Sequence, residues 1–132
     1  MKTENLNFGK LLTPGLIVKL RSPHVDFDEA LAAGPSKMMD YFDAVIGGLR
    51  EGHIEHFRKL GLFSKMEEQT GLNIDLGSWE EVSGEAIDVL LEIVNDMSKF
   101  DETSLKTLMD DFRSMVLKAQ IEKCSIGFML AC

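Results

Sequence analysis

Apolar side chains recur every three or four residues over the last third of the chain, the period of a one-sided helix. Leu105, Leu108, Met109, Phe112, Met115, Val116 and Ala119 form a single stripe. It predicts a long helix starting near Asp101, where Asp101 and Glu102 complement the helix dipole. The preceding stretch, GSWEEVSGEAIDVLLEIVNDMSKF (77–100), is apolar around most of a helical circumference. A helix of that kind is covered by neighbours on several sides, so it is the expected centre of the fold. Ser78 followed by Glu81 supplies a capping-box pattern at its start. Glu81, Glu85, Asp88, Glu92 and Asn95 are left as one narrow polar stripe, which Asp96 extends.

Upstream, Met38, Met39, Phe42, Val45, Ile46 and Leu49 also fit one helical face, with Pro35 suited to a first turn. Shorter helices are expected over 25–34, over HIEHFRKL (53–60) and over 63–71, stopped by Gly34, Gly61 and Gly71 respectively. Gly52 is expected to break or bend the chain just before His53. Asp28 is the expected N-cap of the first of these helices. Near the N-terminus, Thr13-Pro14-Gly15 has the residues of a type II turn, predicting a short hairpin or extended arm that ends at Pro23. The last nine residues, CSIGFMLAC, carry no charge. They continue the last helix, pair as a strand with residues 16–20, or dock on another molecule. The expected fold is therefore mainly α: a compact helical bundle of about five helices, with an N-terminal β-hairpin or extended arm. It is read as one domain over 1–132, made of an arm (1–23), a bundle (24–123) and an apolar tail (124–132).

Composition agrees with one domain. At 132 residues, 45% hydrophobic and 27% charged, the chain can bury a single core without staples. Eight methionines suit adaptable packing. Cys124 and Cys132 form no C-x-x-C pair and no disulfide framework, and no signal-peptide or transmembrane run is present in the sequence. The expected setting is the cytoplasm.

Charge changes the functional picture. The net charge of −8 opposes a phosphate backbone or an anionic membrane, so neither nucleic acid nor membrane is an expected partner. The charge is also uneven. Residues 1–25 carry Lys2, Lys10, Lys19 and Arg21 against Glu4 alone, whereas residues 75–102 carry nine carboxylates against Lys99 alone. Such a stripe is a solvated face, a docking face for a basic protein, or a mimic of nucleic-acid phosphate spacing.

Candidate chemistry elsewhere is sparse. His53 and His56 lie about 60° apart on a helix and flank the direction set by Ile54, Phe57 and Leu60. A carboxylate–histidine metal site needs Glu-x-x-His on two helices, and Glu51 and Glu55 stand at the wrong offsets. His24, Asp26 and Asp28 alternate in PHVDFD, a metal-hydrolase pattern lacking its further ligands. The thiols have only Lys123 beside them and read as buried cysteines. No nucleophile elbow, phosphate loop or dinucleotide fingerprint is present. No catalytic residue, metal or cofactor is therefore expected.

Over the first third of the chain, a proline-turn hairpin ending in VKLRSP, with Leu20, Arg21 and Pro23, resembles the small tail-assembly chaperones of bacteriophages. The resemblance implies an acidic, mostly helical, non-enzymatic viral protein that binds other proteins. The long last helix and apolar tail depart from that pattern.

The residues point to a non-enzymatic protein–protein interaction module: an adaptor, an assembly factor, or an inhibitor of a basic protein. Glu81, Glu85, Asp88, Glu92 and Asp96 are the expected polar contacts, with Phe128 and Met129 as apolar anchors. The alternatives are a structural subunit that self-assembles into a homo-oligomer or larger complex, and a small helical metalloenzyme using His53 and His56.

Overall fold

The computed structural model describes residues 15–34, 36–74, 80–100 and 105–129. The Thr13-Pro14 turn, Pro35, Ser78, the Asp101–Glu102 helix start and Cys132 fall outside these residues.

The centre of the molecule is a four-stranded antiparallel sheet, which corrects the expectation of a helical bundle. Its strands are β1 (Leu16–Leu20), β2 (Phe42–Ile46), β3 (Glu80–Val82) and β4 (Ile126–Met129), in the order β2-β1-β4-β3. Every residue of β1 is buried, as a strand covered on both faces must be. Alternation then divides its side chains between two cores. Ile17 joins Val82, Ile126 and Phe128 beneath the larger helices, while Leu16, Val18 and Leu20 pack on the opposite face with Phe27, Ala30, Met38 and Phe42.

Among the described residues there are five α-helices. The short α1 (Phe27–Ala32) covers the smaller core together with a 3-10 turn, Met38–Tyr41. Helices α2 (Glu51–Leu60), α3 (Leu62–Thr70), α4 (Glu85–Phe100) and α5 (Lys106–Glu122) cover the larger one. The ends of α2 and α3 are set by Gly61 (φ 90) and Gly71 (φ 78), left-handed positions that glycine occupies without steric cost. Gly15 is required more strictly. Its φ is 95, and a Cβ there would stand 1.9 Å from the Leu49 carbonyl oxygen.

Four further expectations are corrected here. Residues 42–46 form β2 instead of continuing a helix: Phe42 is buried, and the residues after it alternate between exposed and half-buried, a period-2 pattern in a short β-branched run. Residues 80–82 form β3, and Gly84 (φ 59) breaks the chain before α4 begins, so Glu81 is a strand residue and not the third position of a capped helix. Asp26, not Asp28, caps α1: its Oδ1 accepts the Glu29 N–H at 2.9 Å. Gly52 lies inside the first turn of α2 without breaking it. Among the alternatives for the tail, strand pairing with 16–20 is the one observed, with Ile17 opposite Phe128 and Lys19 opposite Ile126.

Candidate protein-binding surface

Helix α4 turns Ile87, Leu90, Ile93, Val94 and Met97 into the core. That fixes its opposite side in solvent. Glu85, Asp88, Glu92 and Asp96 all lie there and are exposed. With a rise of 1.5 Å per residue, the four carboxylates extend over about 17 Å. Lys99 stands at the far end of the row, its Nζ 3.6 Å from Asp96 Oδ1. Both side chains of this pair are exposed. At the near end, Gln120 Nε2 on α5 donates to Asp88 Oδ1 at 2.8 Å, fixing that carboxylate across the helix–helix seam.

The remaining expected contacts are placed elsewhere. Val82 belongs to the helix-side core, so alternation along β3 points Glu81 to the other face of the sheet. Glu81 therefore does not continue the α4 row. Phe128 is fully buried, with its ring 5.9 Å from that of Phe112 in an edge-to-face contact, so it is a core residue and not a surface anchor. Met129 is half-buried against the smaller core. Among the described residues, the large apolar side chains that reach solvent are Leu31, Val45, Leu117 and Ile121, the last with 71% of its surface exposed. Ile121 falls outside the apolar stripe of α5, which is the one signal in the sequence that it faces water.

The histidines have local roles. His53 Nδ1 accepts the Arg50 N–H at 2.9 Å and so caps the start of α2. His56 is half-buried on the next turn. Among the described residues, no group of three or more His, Cys, Asp or Glu side chains could hold a metal ion. His24 lies in a turn where its N–H donates to Ser22 Oγ.

A buried charge cluster holds the sheet to α5, and sequence reasoning missed it. Lys19, in the middle of β1, is fully buried. Its Nζ donates to Asp43 Oδ1 and Oδ2 at 2.9 and 3.0 Å, to Glu122 Oε1 at 2.7 Å and to the Leu20 carbonyl at 3.1 Å. Pairing shifts register between Lys19 and Leu20, so Asp43 is the extra residue of a β-bulge, a device that re-aims a side chain. Burial alone would lower the Lys19 pKa, but the hydrogen bonds to Glu122 and Asp43 outweigh it and hold the ammonium above its ordinary value. Cys124 lies close by, and burial pushes its thiol up despite the opposing field of Lys19. A raised thiol pKa makes Cys124 a poor nucleophile.

Between the first turn of α4 and the last turn of α5 there is a cleft of about 360 Å³. Its floor is apolar, formed by Ile87, Ala119 and Cys124, and Glu85 and Asp88 stand over it. Among the described residues, no helix is long and apolar enough to cross a membrane.

No family model matches the chain, and no curated protein matches it. Among solved structures it is similar to the Neisseria DNA mimic protein DMP12, with a TM-score of 0.55 and 16% sequence identity. The match covers 86% of this chain and 98% of that one. At such an identity the likeness shows a shared α+β fold.

Proposed function

We propose that this protein is a non-enzymatic protein-binding module whose α4 carboxylate row occupies the basic, DNA-contacting surface of a DNA-binding protein. The observation that carries the reading is the row itself. Four carboxylates, Glu85, Asp88, Glu92 and Asp96, stand in line on one exposed helix face. Their span of about 17 Å equals the axial rise of about five nucleotides of one strand, at 3.4 Å each. A lysine- or arginine-lined groove shaped for a phosphate backbone would meet charges of the right sign along a matching length. The mimic is sparser than DNA, so affinity depends on contacts flanking the row as well as on charge. The fold shared with a protein described as a DNA mimic supports the same direction.

The test uses the whole protein, immobilised, against the heparin-binding fraction of its host's lysate. A protein retained on the resin should be released by added duplex DNA. It should also be lost when Glu85→Gln, Asp88→Asn and Glu92→Gln are combined in a variant with an unchanged circular dichroism spectrum. Retention should weaken steeply as salt is raised, as for any contact between opposed charged surfaces. The reading fails if retained proteins ignore both the duplex and the neutralised row.

A further inference from the structure

We propose that the cleft between α4 and α5 is a socket for a single arginine side chain of the basic partner. This rests on the protein-binding reading above and adds to it the position at which the partner is registered.

Three features of the cleft fit arginine. Its floor is apolar, with Ile87, Ala119 and Cys124 all nearly or fully buried, and suits a three-carbon stem. Its rim holds two exposed carboxylates on one helix turn, Glu85 and Asp88, which suit a planar cation with several donors. Gln120 Nε2 already donates to Asp88 Oδ1, so Oδ2 remains to accept from a guanidinium and the carboxylate is held in place for it. Glu92 and Asp96 lie beyond the cleft and share only the charge. Both rim carboxylates also suit the first turn of α4, where the dipole favours anions. That role accounts for their charge, but not for an apolar floor beneath them or for the brace from Gln120. Lys123 also lines the cleft and leaves its lining with a net charge of −1, from two carboxylates and one ammonium.

The proposal predicts selectivity that a uniform acidic face would not show. The probe is the blocked tripeptide acetyl-Gly-Arg-Gly-amide, compared with the same peptide carrying neutral citrulline, each titrated into the full chain and followed by amide NMR shifts. The arginine peptide should move the amides of Gly84, Asp88, Gln120 and Lys123 together. It should bind about fivefold better than the citrulline peptide, the effect of a partly exposed ion pair. Asp88→Asn should weaken it by about the same factor. Glu92→Gln removes the same charge outside the cleft and should weaken binding less than Asp88→Asn does, and Gln120→Leu should weaken binding with no change of charge. Shifts spread evenly along the row, equal effects of Asp88→Asn and Glu92→Gln, or no shifts at all would overturn the socket. Those outcomes leave the competition with duplex DNA untouched, so loss of the socket and loss of the protein-binding reading are distinguishable.

Discussion

Replacing Lys19 with methionine tests whether the buried charge cluster holds the sheet and α5 in one arrangement. Methionine keeps most of the lysine stem and removes the ammonium. Four hydrogen bonds disappear, to both oxygens of Asp43, to Glu122 and to the Leu20 carbonyl. Lys118 remains as a partial substitute, 3.7 Å from Asp43 and 4.0 Å from Glu122. Breaking a buried pair by removing one partner costs about 3–5 kcal/mol because the other charge is stranded. Here the stranded side chains retain 23% and 36% of their exposure and can rehydrate, which places the loss at the lower end. The expected cost is about 3 kcal/mol, a large share of the roughly 5–15 kcal/mol available to a domain. Urea unfolding followed by circular dichroism should show a lower midpoint at unchanged slope. Adding Asp43→Asn and Glu122→Gln to Lys19→Met removes the stranded charges and should recover about half of the loss or more. A single variant within about 0.5 kcal/mol of the parent, or a triple variant less stable than the single, would refute the reasoning.

Two further outcomes follow from the same geometry. Stability should fall on the alkaline side. The folded chain keeps protons on Cys124 and Lys19 that the unfolded chain gives up at their ordinary values, so stability present below those values is lost as pH rises. Urea midpoints across the alkaline range check this, and Cys124→Ala should delay the onset. His53→Ala should cost about 1 kcal/mol through loss of the α2 cap, with a melting temperature indifferent to EDTA or added zinc in parent and variant alike. An EDTA-sensitive parent would instead assign the histidine to a metal.

The parts of the structure legible in the sequence are those specified by neighbours along the chain. Helix α5 was marked by its apolar stripe, and five residues of that stripe are buried as expected, Met109 through Ala119. Gly61 and Gly71 stop α2 and α3 for a local reason, the left-handed turn. The misread parts depend on distant pairing. Met38 to Leu49 satisfy a helical period, yet Phe42 to Ile46 become a strand because β1 offers an antiparallel partner, with Val18 opposite Val45. Glu80 to Val82 are too few to show a strand period, and only the β4 edge defines them as one. The Lys19 cluster joins residues 24 and 103 positions apart, with one partner aimed by a bulge. No local rule places a lysine in the middle of a fully buried strand. Of the expected contacts, Glu85, Asp88, Glu92 and Asp96 do come together on α4. Phe128 was misplaced because an uncharged terminal segment looks the same whether a partner or the protein's own sheet covers it.

Position along α4 separates the two explanations of its carboxylates. Glu85 and Asp88 sit in the first turn, where negative charge stabilises a helix by about 0.3–1 kcal/mol, so their presence needs no partner. Asp96 lies near the other end, where the dipole disfavours an anion, and Lys99 offsets this only through an exposed contact of 3.6 Å. A row serving solubility alone has no reason to extend against the dipole when lysine or glutamine would suit that end of the helix better. A row that must match a basic groove over its full length does. Asp96→Asn should therefore leave the fold as stable as before or slightly more so, while reducing retention of the DNA-binding partner. Glu85→Gln should reduce both. If Asp96→Asn leaves retention unchanged, the far half of the row is solvated surface, and binding is confined to the end of α4 that faces the cleft.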